Sequence, residues 1–256
     1  MKEGLRAGKA HYPLSGGVNR PERQTAMGIK ELLSEVPLFE ELGDAELSIL
    51  AQRVRQRRYK ENDTIFHKHD PGVALYVIVS GKVKIHDETP EGTDTIIAIL
   101  DAGEFFGELA VIDGQERSAD ATTLAPTELL MLTRDDLHDI LQRYPKIGLC
   151  LLTTLAGRLR RTTEDYLAYS TLDINGRLAM QLLRLSEQHG IVTSSGVRID
   201  LKLTQTDLGS LVGASRESVN KVMGYFRRQA WISVDDRSHI LVKDRAALAR
   251  LCGERA

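Results

Sequence analysis

The stretch LYVIVSGKVKIHDETPEGTDTIIAIL, residues 75–100, constrains the fold more than any other part of the chain. Its runs of Val, Ile and Tyr are only a few residues long, and they are cut at Ser80-Gly81, at Pro90-Glu91-Gly92 and, further on, at Gly103 and Gly107. Branched and aromatic side chains favour extended backbone, and breaks this frequent leave room for strands but not for helices. Short strands joined by tight turns close into an antiparallel barrel or jelly roll, which we expect to run to about Thr133.

The flanks follow other rhythms. Residues 1–30 hold Gly, Pro and charge without periodicity and read as a disordered tail, with Met27 an alternative start. Ile29 to Arg58 shows helical spacing, interrupted at Pro37 and resumed at Gly43-Asp44. After the barrel, Pro145 stands where a helix can begin, because its missing N–H costs nothing in a first turn. Leu152, Leu155, Leu159, Thr162, Tyr166 and Tyr169 then recur at spacings of 3, 4, 3, 4 and 3, the pattern of a helix-helix seam. A homodimer through this helix is the economical reading; packing on its own domain is the alternative. Asp173-Ile174-Asn175-Gly176 breaks the helix and reads as a hinge. The expected class is α+β: barrel and flanking helices over 31–144, dimer helix over 145–172 and a second domain over 173–256.

Charge divides at the same hinge. Ile174 to Ala256 carries 13 Lys and Arg against 8 Asp and Glu, a net of +5, which leaves −7 for the rest. A basic third on an acidic remainder suggests a partner with phosphates. No apolar run approaches the roughly 20 residues that span a bilayer, and no signal-peptide core is seen, so no membrane partner and a cytoplasmic location are expected. Cys150 and Cys252 support neither a disulfide framework nor a cysteine-held metal site. His67, His69, His86 and His138 lack metal spacing with acids, and neither a nucleophile elbow nor a P-loop occurs. An enzyme, a metal centre and a cofactor are therefore not expected.

Within GELAVIDGQERSADATT, residues 107–123, Glu108 and Arg117 lie among small and apolar residues. A cyclic phosphate on a ribose asks for close backbone N–H groups, a cation with fixed fork geometry and an acceptor for the free hydroxyl. Gly107 permits close backbone approach, Arg117 supplies the fork, Ser118 adds donors and Glu108 accepts from the ribose, with Leu109 beside it in the loop. A surface Glu-Arg pair beside a glycine turn is the plainer alternative.

Near the other end, LTQTDLGSLVGASRESVNKVMGYF, residues 203–226, spells two amphipathic helices around a tight turn. Thr204 with Asp207 can cap the first helix and Ser215 the second, and Gly209 and Gly213 allow close approach and a left-handed turn. Leu208, Val212, Val219 and Val222 would form the core between them. Such a pair is a helix-turn-helix whose second helix can enter the major groove, with Arg216, Glu217 and Lys221 where base edges would be met. Thr204, Gln205, Ser215 and Ser218 complete the candidate DNA set. WISVDDRSHILV, residues 231–242, reads as a hairpin, and Arg227, Arg228, His239 and Lys243 are candidates for phosphate contacts.

GEFFGELAVIDGQERSADATT closely resembles the phosphate-binding cassette of cyclic-nucleotide-binding domains. With TLDINGRLAMQLLRL and the helix-turn-helix, the chain from about Ser34 to Val242 resembles the cyclic AMP receptor protein (Crp/Fnr) family of bacterial regulators. The resemblance implies a jelly-roll sensor, a dimer helix and a winged helix-turn-helix. It places the ribose acid on Glu108, the phosphate cation on Arg117, and the family's neighbouring serine on Ser118. The gap from Glu108 to Arg117 is one residue shorter than in the enterobacterial receptor and equals that of kinase regulatory subunits. Thr162 and Thr163 fall where the family's receptors carry the Thr and Ser that reach the adenine, one from each subunit. In the family's Arg-Glu-x-x-x-Arg motif, which reads TGTGA half-sites, Arg216 and Glu217 match and Lys221 replaces the second arginine. The resemblance thus implies an allosteric homodimer that takes cyclic AMP, binds double-stranded DNA and meets RNA polymerase. Cyclic GMP, cyclic di-GMP, no ligand at all, or a regulatory subunit of another protein are the alternatives.

Overall fold

The computed structural model describes residues 28–253 apart from 41, 89–93 and 237. Most of the expected tail and the turn at Pro90-Glu91-Gly92 lie outside the described residues. Ile29 and Lys30, which the tail reading included, belong to the first helix, α1 (Ile29–Ser34). A 3-10 turn at Pro37–Phe39 separates it from α2 (Asp44–Ala51), because proline fits a first turn and cannot continue a helix.

Eight strands follow: β1 (Arg55–Tyr59), β2 (Thr64–Phe66), β3 (Ala74–Ser80), β4 (Lys82–Glu88), β5 (Asp94–Asp101), β6 (Phe105–Phe106), β7 (Asp120–Thr123) and β8 (Thr127–Thr133). They form two antiparallel four-stranded sheets, β1-β8-β3-β6 and β2-β7-β4-β5. This is the jelly roll that short strands and frequent turns require.

The unbroken apolar run in β3 has a physical reason. Side chains alternate across a strand, so a run without polar residues must be covered on both faces. Ala74, Tyr76 and Ile78 face the barrel interior with Phe106 and Leu129. Leu75 and Val77 face a second core with Leu130 and Leu132, closed by Leu33, Leu50, Leu137 and Ile147 from the helices. Those helices include α4 (Arg134–Arg143), while the short α3 (Glu108–Asp113) lies within the cassette.

Helix α5 (Pro145–Thr171) has 27 residues. At an α-helical rise it is roughly 40 Å long. Ile147 and Leu151 anchor its start, and beyond them Leu152, Leu159 and Tyr166 are exposed on the single chain while Leu155 is half-buried. Asp173 caps α6 (Ile174–Gln188) by accepting from Gly176 N at 2.9 Å. After it come β9 (Gly190–Thr193), β10 (Gly196–Ile199), α7 (Gln205–Val212), α8 (Arg216–Arg228), β11 (Ile232–Val234), β12 (Ile240–Val242) and α9 (Arg245–Leu251). The four strands make one antiparallel sheet, β11-β12-β10-β9, and β11-β12 is the wing expected from the sequence.

The second domain does not close its core alone. Ile96 and Ile99 of β5 join the cluster of Leu182, Leu208, Val219 and Phe226. At the same junction Asp101 accepts from His189 Nδ1 at 2.5 Å and pairs with Lys82. Burial pushes the Asp101 carboxyl up, but the His189 hydrogen bond and the charges of His189 and Lys82 outweigh it and hold the pKa below its ordinary value.

Candidate nucleotide pocket and DNA-reading helix

Gly107 begins the candidate site. Its φ of +75° is left-handed, and a Cβ there would stand 2.6 Å from Arg117 Nη1. Glycine is therefore required both by conformation and by the guanidinium beside it. Arg117 is only 3% exposed. Its Nη1 donates to Gly107 O and its Nη2 to Ala74 O, each at 2.7 Å. The guanidinium lies over the Phe66 ring, 4.2 Å from the centroid, and its Nε is buried without a hydrogen-bond partner. Burial pulls its pKa below the ordinary guanidinium value, opposed by Tyr76, Asp70 and Glu108, and an arginine so placed stays charged.

Glu108 is also buried, at 4% exposure, and excludes the reading of a surface pair. Its carboxylate does not pair with Arg117. It accepts from Arg158 Nη1 of α5 at 2.8 Å, while Arg158 Nη2 donates to Phe105 O at 2.5 Å. The sequence reading missed Arg158. Its signal was a cation one helical turn before Thr162 on a helix already singled out, but only the docking of α5 on the cassette reveals the contact.

Ser118 and Leu109 are exposed at the cassette surface. Thr162 and Thr163 are exposed on α5, their hydroxyls donating to Arg158 O at 3.0 Å and Leu159 O at 2.9 Å. Thus Gly107, Glu108 and Arg117 come together with Arg158, and the two threonines continue along the same helix. A buried fixed cation whose Nε–H is unpaired, beside a carboxylate, can hold a small anion that also offers a hydroxyl.

The reading helix is built from caps outward. Thr204 and Asp207 form the reciprocal box that starts α7. Thr204 Oγ1 accepts from Asp207 N at 3.1 Å, and Asp207 Oδ2 accepts from Thr204 N at 2.8 Å. Gly213 ends α7 at φ +59°, and a Cβ on Gly209 would stand 2.5 Å from Ala214 O. Both glycines thus set the turn. Ser215 caps α8 by accepting from Ser218 N at 3.2 Å. Leu208, Val212, Val219 and Val222 are buried between the helices.

These cap bonds turn Thr204 and Ser215 toward the backbone, and Gln205 Nε2 donates to Asn220 Oδ1 at 3.2 Å. Arg216, Glu217 and Lys221 remain exposed, as do Arg227, Arg228 and Lys243. His239 is half-buried and bonded to Asp235 instead. The Glu217 carboxyl is held below its ordinary pKa by its own backbone N–H, then by the Ser215 hydroxyl and the charges of Arg216 and Lys221. It is an ionised acceptor flanked by cations on the first turn of the helix.

The fold joins two parts, a jelly-roll domain with a buried cation-carboxylate site and a winged helix-turn-helix domain. Residues 56–144 match the cyclic nucleotide-binding domain family and residues 176–251 the Crp-like helix-turn-helix domain family. A CRP-like cAMP-activated global transcriptional regulator from Mycobacterium tuberculosis is 34% identical over 220 residues, covering 86% of this chain and 98% of that protein. The Cyclic AMP receptor protein of Thermus thermophilus is 34% identical over 187 residues, covering 73% of this chain and 83% of that protein. Among solved structures, the c-di-GMP responsive global regulator CLP of Xanthomonas campestris superposes with a TM-score of 0.66 at 25% identity, over 75% of this chain and 95% of that one. A CooA mutant from Carboxydothermus hydrogenoformans, at 19% identity and a TM-score of 0.71 over 90% of this chain and 98% of that one, shares the fold.

This chain belongs to the Crp/Fnr family of transcription regulators, DNA-binding proteins with a cyclic-nucleotide-binding domain rather than enzymes. Among the described residues no helix is long and apolar enough to cross a membrane.

Proposed function

We propose that this chain is a cyclic-AMP-responsive transcription regulator that binds palindromic DNA as a homodimer and acts on RNA polymerase. The observation that carries the reading is the reach of α5 into the pocket, where Arg158 grips Glu108. Arg117 would hold the cyclic phosphate and Glu108 the ribose hydroxyl. Thr162 and Thr163 would meet the base, and Leu152, Leu155, Leu159 and Tyr166 would form the seam with a second copy. The exposed apolar stripe on α5 supports that seam, since single chains seldom leave such a stripe to water. A ligand that contacts the helix joining two subunits can bias how they sit, the differential contact a switch requires.

A two-fold dimer presents two copies of α8, so half-site centres would lie about 34 Å apart, one turn of DNA. Arg216 would meet a guanine by O6 and N7 and Glu217 a cytosine amino group. Lys221 is a flexible point charge, so the base it meets should be less strictly specified. Selection from random DNA in the presence of cyclic AMP should yield TGTGA-N6-TCACA or a close relative; an unrelated or non-palindromic consensus would contradict these roles.

Cyclic di-GMP is the second reading, because the Xanthomonas neighbour is described as responsive to it. Calorimetry with cyclic AMP, cyclic GMP and cyclic di-GMP separates the readings. Cyclic AMP should bind tightest, and preference for either other nucleotide would overturn the assignment.

A further inference from the structure

Beside the candidate anion site the barrel core holds an aromatic pile that the expected cassette residues do not explain. Phe66, Tyr76 and Phe106 come from three strands, β2, β3 and β6. Tyr76 and Phe106 stack with centroids 5.3 Å apart, and Phe66 tilts against both at 5.8 Å. Arg117 lies 4.2 Å above the Phe66 ring centroid and 5.7 Å from that of Tyr76.

The guanidinium is therefore restrained in two independent ways. The carbonyls of Ala74 and Gly107 fix its edge, which sets where its N–H groups lie in their own plane. Two in-plane bonds do not stop that plane from tipping about the line joining them. A ring against the face does, and a cation over a desolvated aromatic face is attracted as well as braced. The Phe66 ring is itself locked by the two rings behind it. The Nε–H is buried and without a hydrogen-bond partner.

We propose that Phe66 is a positioning residue for anion binding, its ring orienting Arg117 before the ligand arrives. This rests on Arg117 as the phosphate residue, and it adds the reason that the pocket needs little rearrangement to bind. A cation fixed in its bound orientation gains affinity because the ordering cost is met during folding. The same pile explains how a guanidinium is tolerated under the barrel wall: its edge has two carbonyls and its face has a ring.

Calorimetry with cyclic AMP on the wild type, Phe66→Leu, Phe66→Tyr, Arg117→Gln and the double variant Phe66→Leu/Arg117→Gln tests it. Phe66→Leu should weaken binding by about 2- to 30-fold, the range of a cation–π contact, and Phe66→Tyr should restore most of the loss. In the Arg117→Gln background, Phe66→Leu should cost little more, because the cation it orients is gone. Circular dichroism checks each fold, and Phe66→Met replaces Phe66→Leu if the latter does not fold. A Phe66→Leu protein that binds as the wild type does, or loses equal affinity in both backgrounds, would overturn the platform and leave Arg117 as the anion residue. A wild type that binds no tighter than Arg117→Gln would overturn the pocket reading and the platform together.

Discussion

Arg117 in the sensor and Arg216 in the reader do opposite things with the same side chain. Arg117 is 3% exposed, with two N–H groups on backbone carbonyls and its face on a ring. Arg216 is exposed on the first turn of α8, beside an ionised Glu217. A buried charge must be held by several partners because each lost partner costs its desolvation, whereas a solvated charge needs none until its target arrives. On the proposed reading, the anion site is formed by folding and the DNA-reading face is a surface completed by binding.

Substitution should make the contrast visible. Arg117→Ala should weaken cyclic AMP binding by about 2 to 5 kcal/mol, the loss typical of one partner in a buried charge pair. It should also lower the melting temperature, since Ala74 O and Gly107 O lose their donor. Unchanged calorimetric affinity in a folded Arg117→Ala protein would sink the pocket assignment. Arg216→Ala should cost about 1 to 3 kcal/mol in DNA binding and relax one base position, with the melting temperature unchanged. A substantial fall in stability would show that Arg216 supports α8 rather than reading DNA.

The differences between the regions also explain what could be read from sequence. The glycines at 107, 209 and 213 were legible because positive φ or close backbone approach leaves few other choices. The caps at Thr204 and Ser215 were legible because they bond to residues three positions away. Arg158 was not, because its partner Glu108 lies 50 residues back and no local rule links them. Nor could alternation reveal that Ile96 and Ile99 belong to the core of the second domain; a strand's pattern says which face is covered, not by what. The β9-β10 hairpin is absent from the sequence reading although Thr193-Ser194-Ser195-Gly196 carries a turn signal. Gly196 there sits at φ +141°.

A smaller effect tests the junction between the regions. The Asp101 pKa is depressed in the fold, so its contribution to stability is present above the unfolded value near 3.8 and is lost as pH falls through the lower folded value. Asp101→Asn should reduce stability at neutral pH and flatten its decline in acid. An acid transition identical to that of the wild type would place the sensitive groups elsewhere.

A pocket fixed by Arg117 should control a reader it does not touch. DNA affinity measured with and without cyclic AMP, on the wild type and on Arg117→Ala, tests that claim most directly. In the wild type cyclic AMP should tighten DNA binding, and DNA should tighten cyclic AMP binding by the same factor, as linkage demands. Arg117→Ala should keep the ligand-free DNA affinity and lose the response. A variant that responds as the wild type does, or a wild type whose DNA affinity ignores the nucleotide, would contradict the claim.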